Sequence, residues 1–303
     1  MQLLPNPFGQ VFQNLLRNFV RRWSTKPPAT KRCTNMRANK VLRDKVAIVT
    51  GGACGLGYEF VKECLKRGAS GVTIADIRHC DGERAAKQLC KEFGQGRCMF
   101  IKCDVTKSEL FDWVFKQTLR CYGHIDLLIN NAGILNDKKW EQAIATNMGG
   151  CIIGSLLAIQ YMTKACVGKG GMVINISSVY GIIPLCGLPI YSMTNSGIMS
   201  FSRSLGRSSQ YDRTGVKVVS LCVGPMCGPM LDKAADCTMN DKFKVELLEE
   251  LEDVERQLPE KVAKGLSKIL KKGRSGSTWL ACNGYQPFEI SLPEDLDAMR
   301  VHE

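Results

Sequence analysis

The chain has 303 residues, 45% hydrophobic and 23% charged, which suits one large domain or two small ones with a sizeable core. Its formal net charge is +12, but residues 1–43 contribute nine Lys and Arg and no acid, which leaves +3 on the remainder. So small a charge gives no case for nucleic-acid binding by the body, and no apolar run approaches the roughly 18–20 residues of a membrane span.

Cysteine is abundant, with 15 residues, but the sequence contains no C-x-x-C motif. The three histidines, His79, His124 and His302, are widely separated along the chain. These spacings predict no metal site. Single cysteines within strand and helix patterns are expected to act as small buried hydrophobes in a reducing compartment.

Residues 1–40 form a basic N-terminal extension unlike the rest of the chain. Within residues 8–23, apolar side chains recur every three or four positions among basic ones, a pattern that predicts an amphipathic helix. An arginine-rich leader without acids is typical of a mitochondrial transit peptide, so we expect a mitochondrial location. The alternatives are an exposed basic tail or a membrane-surface helix, and translation from Met36 would give a cytoplasmic form without the leader.

The globular body begins near Val41 with a strand, a turn, a helix and a second strand. A buried-strand pattern at 45–50 leads into a glycine-rich turn at 51–57, and the second strand lies at 71–77. Glycines in such a turn let the backbone approach a pyrophosphate, and the helix amino terminus offers it free N–H groups. This unit predicts dinucleotide binding.

An acidic residue near the end of the second strand sets the expected cofactor preference. Asp76 lies 19 residues after Gly57, where a carboxylate accepts hydrogen bonds from the adenosine ribose hydroxyls. Its charge repels a 2′-phosphate, so the sequence favours NAD over NADP. Arg78 acts in the opposite direction, because a nearby arginine softens this preference.

Strand and helix patterns then alternate to the end of the body. Further strands are predicted at 98–105, 125–129, 173–176, 216–223 and 277–282. Helices are predicted at 107–122, 140–167, 191–211 and 261–272. The alternation predicts an α/β fold in which residues 41–303 form a single doubly wound Rossmann domain, with a parallel sheet of seven strands.

Residues 226–258 interrupt this alternation. They are poor in strand-forming residues, and leucines spaced between 247 and 258 predict an amphipathic helix. Because the segment follows the end of a strand, it is predicted to be either a mobile lid over a substrate or a surface insertion.

The stretch 171–195 carries the candidate chemistry. A β-branched strand ends at Ser178, a loop rich in Gly and Pro follows, and a helix begins near Tyr191. The carboxyl ends of strands are where an open α/β sheet binds its ligand, and Asn195 lies one helical turn beyond Tyr191. A serine and a tyrosine so placed can transfer protons to a hydroxyl or carbonyl, although such residues also serve turns and packing.

Together these motifs resemble the short-chain dehydrogenase/reductase family over residues 44–290. T-G-G-A-C-G-L-G at 50–57 matches the family's cofactor motif, and N-N-A-G at 130–133 matches the motif that steadies its central sheet. W-E-x-x-x-x-x-N at 140–147 and V-I-N-I-S-S at 173–178 are most similar to NAD-dependent hydroxyprostaglandin dehydrogenases and insect alcohol-dehydrogenase-like members.

The resemblance implies NAD as cofactor, a small-molecule substrate and a homodimer or homotetramer. The cofactor contacts that it implies are Gly51, Gly55, Leu56, Gly57, Asp76, Asp104, Val105, Asn131, Ala132, Gly133 and Gly224.

The resemblance also places Asn147, Ser178 and Tyr191 on three members of the family's catalytic tetrad. In the family the tyrosine is the acid/base, the serine holds the substrate oxygen, and the asparagine supports a water that relays protons. The fourth member is a lysine, and here that position is Asn195. An ammonium about 4 Å from a phenolate is worth about 4 kcal/mol at an effective dielectric near 20, so its loss predicts a poor base at neutral pH.

A second departure follows the sixth strand. Val223-Gly224 replaces the family's Pro-Gly, and Gly228 stands where a threonine is expected beside the nicotinamide. Two hypotheses therefore stay open. The first is an NAD-dependent oxidoreductase of a secondary alcohol or its ketone, with the apolar stretch 182–190 indicating a lipid-like substrate. The second is a catalytically impaired NAD-binding pseudoenzyme, and a cation beside Tyr191 would distinguish the two.

Overall fold

A computed structural model of the chain describes residues 40–163 and 168–292. The predicted transit peptide lies outside the described residues. The strands are β1 (Val46–Thr50), β2 (Gly71–Asp76), β3 (Cys98–Lys102), β4 (Leu127–Asn130), β5 (Gly171–Ser178), β6 (Val216–Val223), β7 (Thr278–Ala281) and β8 (Phe288–Ile290).

The α-helices alternate with these strands along most of the chain. They are α1 (Gly55–Lys66), α2 (His79–Phe93), α3 (Ser108–Tyr122), α4 (Trp140–Ile144), α5 (Gly150–Met162), α6 (Pro189–Leu205), α7 (Ser208–Thr214), α8 (Pro229–Asp232), α9 (Asp241–Leu251), α10 (Pro259–Lys264) and α11 (Leu266–Lys272).

All eight described strands form one sheet, in the order β3-β2-β1-β4-β5-β6-β7-β8. The first seven are parallel, which confirms the doubly wound α/β fold. The predicted count of seven was wrong, because β8 adds an antiparallel edge that pairs Thr278 with Ile290. This strand is three residues long with a glutamate at its centre, so its sequence carries no strand pattern.

The core lies on both faces of the sheet. One face is covered by α1, α2, α10 and α11, whose apolar side chains pack with those of β1, β2 and β4. On the other face, α3 and α5 pack against the same strands. Phe60, Phe111 and Phe115 are wholly buried between the layers, each contributing about 1.5–3 kcal/mol relative to an exposed side chain. The strands at the centre of the sheet are therefore held rigidly, with their carboxyl ends at one edge.

The predicted long helix at 140–167 is interrupted in the structure. Helix α4 passes into a π-helical turn, Ala145–Gly149, before α5 begins at Gly150. The helical stretch Asp137–Met162 is long and apolar enough by composition to cross a membrane. Within the fold, however, α5 packs against β4, β5 and α3, which accounts for apolar residues on its inner side.

Helix α6 ends earlier than its sequence pattern predicts. A Cβ at Gly206 would lie 2.3 Å from the backbone nitrogen of Gly276, so only glycine permits this close approach. The chain turns there and resumes as α7 at Ser208. The turn leaves a cleft between the end of α6 and the strand that follows Gly276.

Candidate functional site

The glycine-rich turn between β1 and α1 has the geometry of a phosphate cradle. Gly51 and Gly55 take φ values of +62° and +55°, which side chains other than glycine rarely adopt. A Cβ at Gly57 would lie 2.1 Å from the carbonyl oxygen of Gly51, whereas one at Gly55 would meet open space. Leu56 is buried beneath the turn. The backbone N–H groups at the start of α1 are thus open to an anionic ligand.

The N-N-A-G segment after β4 locks this turn in place. The Asn131 side-chain amide donates to the carbonyls of Thr50 and Gly51, at 3.0 and 3.3 Å. The backbone N–H groups of Asn131 and Ala132 both donate to the Thr50 hydroxyl, at 2.9 and 3.0 Å. Gly133 lies against the side chain of Asn147. The predicted cofactor residues of the two segments therefore lie together.

Asp76, at the end of β2, has a carboxylate that is already fully engaged. Its Oδ2 accepts from the Ala53 N–H at 3.1 Å and from the Arg78 guanidinium at 3.2 Å. Its Oδ1 accepts from the Arg78 backbone N–H at 3.0 Å and from Arg78 Nε at 3.3 Å. Asp76 is 4% exposed and the Arg78 side chain 45% exposed. A ribose that binds Asp76 therefore has to displace or share this guanidinium.

The remaining predicted cofactor residues lie at the carboxyl ends of β3 and β6. Asp104 Oδ1 accepts hydrogen bonds from the backbone N–H and hydroxyl of Thr106, at 3.0 and 2.8 Å. Val105 is buried against Gly150. A Cβ at Gly224 would lie 2.7 Å from the Cβ of Cys282, the residue that follows β7, so this close approach requires a glycine.

The structure brings Ser178, Tyr191 and Asn195 together. Ser178, the last residue of β5, accepts from the Tyr180 N–H at 3.2 Å and donates to the Val223 carbonyl at 3.4 Å. Tyr191, in the first turn of α6, lies close enough to Ser178 and Asn195 for their side chains to act on the pKa of its phenol. The serine and tyrosine of the predicted tetrad thus lie in one cluster.

Burial raises the pKa of Tyr191 above its ordinary value, and the polar side chains of Ser178 and Asn195 oppose that rise. Within residues 40–163 and 168–292, no lysine or arginine contributes to the pKa of this phenol. The cation that would have distinguished the two functional hypotheses is therefore absent from the described surroundings of Tyr191. A phenol whose pKa lies above its ordinary value is mostly protonated at neutral pH.

Asn195 has a structural use for its side chain as well. The side-chain amide donates to the Tyr191 backbone carbonyl, one turn earlier in α6, at 2.8 Å. The residue is 5% exposed. An amide in this position hydrogen-bonds without bringing charge, so it cannot replace the electrostatic contribution of an ammonium.

Asn147 reaches the cluster indirectly from the π-helical turn. Its side chain accepts from the Ile134 N–H at 2.8 Å and donates to the Ile134 carbonyl at 2.9 Å. It also donates to the Thr194 hydroxyl at 3.3 Å, and Thr194 donates to the Tyr191 carbonyl at 2.8 Å. Single π turns within α-helices frequently mark functional sites, and this one projects the buried Asn147 toward α6.

Asp137 is a site residue that the sequence analysis missed. It is wholly buried, and its two carboxylate oxygens accept the backbone N–H groups of Ile190 and Tyr191 at 2.8 and 3.0 Å. These are unpaired donors in the first turn of α6, where a carboxylate also complements the helix dipole. Burial raises the pKa of Asp137, and the two N–H bonds oppose that rise. Its sequence context of Asn and Lys resembles an exposed turn, so nothing local marks it.

A second carboxylate holds the other part of the same loop. Glu250, on α9, accepts the backbone N–H groups of Cys186 and Gly187 at 2.8 and 3.1 Å. Burial raises the pKa of this carboxyl also. We refer to Asp137 and Glu250 together as the carboxylate clamp. The clamp fixes the loop that connects Ser178 to Tyr191 at two points.

Backbone hydrogen bonds join the two ends of the segment at 226–258, and the segment packs over the loop that connects Ser178 to Tyr191. Gln257 accepts a backbone hydrogen bond from Cys227 and donates one to Pro225, both at 2.9 Å. A Cβ at Gly187 would lie 2.4 Å from the Cβ of Leu247, which shows how closely α9 covers the loop. Tyr191 packs against an apolar cluster that includes Leu247.

Gly228, where a threonine was expected, is the N-cap of α8 and has a φ of +141°. A Cβ there would meet open space, so the glycine serves the backbone conformation rather than a close contact. Among the described residues, no group of three or more His, Cys, Asp or Glu side chains is arranged to hold a metal ion.

Comparison with known proteins places this arrangement among dehydrogenases. Residues 45–237 match the sequence profile of the short chain dehydrogenase family. A 15-hydroxyprostaglandin dehydrogenase (NAD+) of Rattus norvegicus is 35% identical over 62% of this chain and 70% of its own length. The Bos taurus enzyme of that name is 32% identical over 75% and 86%, respectively. Alcohol dehydrogenase 1 of Ceratitis cosyra is 31% identical over 79% and 92%.

Among solved structures, the chain is similar to 3-ketoacyl-(acyl-carrier-protein) reductase from Brucella melitensis complexed with NADH. The TM-score is 0.65 and the sequence identity 21%, over 80% of this chain and 97% of that one. At this identity the likeness shows the fold.

Proposed function

Because this chain belongs to the short chain dehydrogenase family, we propose that it is an oxidoreductase that binds NAD(H) and acts on a secondary alcohol or its ketone. The 15-hydroxyprostaglandin dehydrogenase relatives carry NAD+ in their names, and the structural neighbour was solved with NADH. The cofactor is NAD. When bound, it supplies or accepts the hydride.

The glycine-rich turn and the segments around it are suited to hold this cofactor. The open backbone at Gly55 and the start of α1 would take the pyrophosphate, and Asp76 would take the adenosine ribose. Gly57→Ala tests this, because its Cβ would lie 2.1 Å from the Gly51 carbonyl oxygen. Calorimetric titration with NAD should show binding lost in this variant, with circular dichroism confirming that it folds. Unchanged affinity would refute the assignment.

The observation that carries the proposed chemistry is the proximity of Ser178 and Tyr191, whose side chains lie close enough for the serine to act on the pKa of the phenol. The pair lies where β5 ends and α6 begins, at the carboxyl edge of the sheet that also holds the glycine-rich turn. Ser178 would hold the substrate oxygen while the Tyr191 hydroxyl donates a proton to it or removes one. The carboxylate clamp holds the loop between the two residues and thereby keeps their side chains close together.

The raised pKa of Tyr191 favours one direction of the reaction. A protonated phenol is ready to donate its proton to the carbonyl oxygen of a ketone as the hydride arrives. Alcohol oxidation requires the phenolate, which is scarce at neutral pH without a nearby cation. We therefore propose ketone reduction by NADH as the favoured direction.

A second candidate function, an NAD-binding protein without catalysis, is favoured by one specific observation. Asn195 stands in place of the lysine of the family's tetrad. Among the described residues, no cation contributes to the pKa of Tyr191. A screen of hydrophobic ketones with NADH, run alongside calorimetric titration with NAD, separates the two candidates. Turnover that Tyr191→Phe abolishes supports the oxidoreductase. NAD binding without turnover on any ketone supports the second candidate.

The surroundings of Tyr191 support a hydrophobic substrate. The cluster against which it packs includes Leu135, Leu188, Leu231 and Leu247. Residues 226–258 supply part of this apolar wall, and we propose that they form a lid over the substrate. If residues 226–258 cover the substrate with apolar side chains, the screen should show long-chain or polycyclic ketones reduced faster than short polar ones. The opposite ranking would refute it.

We also propose that a second copy of the chain covers the outer face of α3 and α5. Helix α5 is apolar on all sides, and Leu156 on it is 52% exposed. Trp113 on α3 is 53% exposed. A helix that is hydrophobic all round is normally buried. Light scattering should give the mass of a homodimer, and Leu156→Glu should reduce it to that of a monomer. A monomeric wild type would refute this proposal.

A further inference from the structure

A large polar cavity lies away from the site described above. It has a volume of about 950 Å³ and is lined by the end of α6, the start of α7 and the turn before β7. Gly276 and Thr278 line it at the amino ends of β6 and β7, whereas Ser178 and Gly224 lie at the carboxyl ends of their strands. The cavity therefore lies toward the amino ends of the strands, whereas the predicted cofactor site lies at their carboxyl ends.

Three arginines line this cavity, namely Arg203, Arg207 and Arg274, and we refer to it as the arginine cleft. One carboxylate, Glu289, also lines it and forms an ion pair with Arg274 at 2.5 Å. Neither Arg203 nor Arg207 lies within 4.0 Å of a carboxylate oxygen in the part of the chain that the structure describes. The cleft thus carries two positive charges that the described residues do not neutralise.

The turn at the end of α6 places the two arginines at one cavity. Arg203 is half-buried in the last turn of α6, whereas Arg207 is exposed and follows Gly206, which is held against Gly276. Both residues line the same cavity. The dipole of α6 accounts for one basic residue at its C-terminus, but not for three arginines around one space.

Hydroxyl groups supply further donors in the arginine cleft. They come from Ser200, Ser204, Ser208, Ser209 and Ser291. A guanidinium presents planar, paired N–H donors that match the oxygens of a phosphate, and such charge-assisted bonds are roughly twice as strong as neutral ones. Arginines that line a cavity together with serines are therefore suited to bind a phosphate group rather than a carboxylate on an apolar ligand.

We propose that the arginine cleft is a second ligand site, which binds a phosphorylated small molecule through Arg203 and Arg207. The site is separate from the predicted cofactor site, so the two ligands bind at the same time. Because Arg203 and Tyr191 lie on the same helix, the ligand contacts the far end of the element that carries the proposed acid/base.

Calorimetric titration of the full chain with inorganic phosphate, and then with pyrophosphate, tests this proposal. Saturating NAD is present throughout, so that phosphate bound at the glycine-rich turn does not contribute. We expect one saturable site and at least a tenfold loss of affinity in the Arg203→Gln/Arg207→Gln double variant. Arg213→Gln is the matched control, since Arg213 is exposed, contacts Gln210 and does not line the cleft. Its affinity should be unchanged, and thermal melting confirms that each variant folds.

Three results would overturn the proposal. The first is the absence of saturable binding to the full chain. The second is an equal loss of affinity in Arg213→Gln, which would show a general effect of surface charge. The third is binding that arises only after residues 293–303 are removed. That segment follows Leu292 at the cleft and contains Glu294, Asp295 and Asp297, so this result would make the chain's own acidic end the occupant.

Discussion

Replacing Asn195 with lysine should convert Tyr191 into an effective base at neutral pH. The side chain of Asn195 lies close enough to the Tyr191 phenol to act on its pKa, and no described cation contributes to the pKa of that phenol. An ammonium at about 4 Å stabilises the phenolate by about 4 kcal/mol at an effective dielectric near 20. Since 1.36 kcal/mol corresponds to tenfold, the phenolate population rises by up to about a thousandfold.

The gain in rate should be smaller than this ceiling, because position 195 is 5% exposed and a buried ammonium loses hydration. We expect NAD-dependent oxidation of a hydrophobic secondary alcohol at pH 7 to rise by at least about tenfold, and by less than about a thousandfold, in Asn195→Lys. The assay is NADH absorbance between pH 6 and 10. The advantage over wild type should shrink as pH rises, because a raised pKa is overcome by alkali and Tyr191 then ionises unaided.

Two control variants make this prediction decisive. Asn195→Gln lengthens the side chain without adding charge, so it should give no gain. Tyr191→Phe should abolish both the basal and the restored rate. The reasoning is refuted if wild type already turns over at an ordinary 1–10³ s⁻¹ at pH 7. It is also refuted if Asn195→Gln and Asn195→Lys give the same change in rate. An inactive Asn195→Lys that still binds NAD would favour the second candidate function.

Three further predictions concern other parts of the molecule. Asp137→Ala should lower the free energy of unfolding by about 1–3 kcal/mol in urea titration, because two buried N–H groups of α6 lose their acceptor; an unchanged midpoint would show that the clamp at this end is dispensable. The chain should bind NAD more tightly than NADP in calorimetry, and Arg78→Ala should widen the difference by removing the guanidinium beside Asp76; a preference for NADP in wild type would contradict this. We propose that residues 1–35 direct a fused fluorescent protein to mitochondria, whereas a diffuse signal that is unchanged when their arginines become glutamates would argue against a transit peptide.

The features that could be predicted from the sequence are those determined by residues close together along the chain. The glycine-rich turn was predictable because strand, glycines and helix follow each other directly, and the alternation of strands and helices fixed the doubly wound topology. Ser178 and Tyr191 were found through their spacing within one strand-loop-helix unit, and the structure places their side chains close together.

The features that the sequence did not predict depend on contacts between distant segments. Asp137 acts on backbone groups 53 and 54 residues away, and Glu250 acts on groups 64 and 63 residues away. No local pattern reports such pairings, since the acceptors bind backbone rather than a recognisable side chain. The break after α6 likewise depends on the approach of Gly206 to Gly276, which is set by tertiary packing.

The short strand β8 limits how this protein can assemble. An uncovered sheet edge is a template for pairing with another chain, and proteins protect such edges with short strands and charged residues. Here β8 occupies the exposed side of β7 through its pairs with Thr278, Trp279 and Leu280. The edge that remains has three residues, with Glu289 in the middle. This edge therefore disfavours pairing between the sheets of two copies, and the helical faces are left as the surfaces on which the proposed homodimer can form.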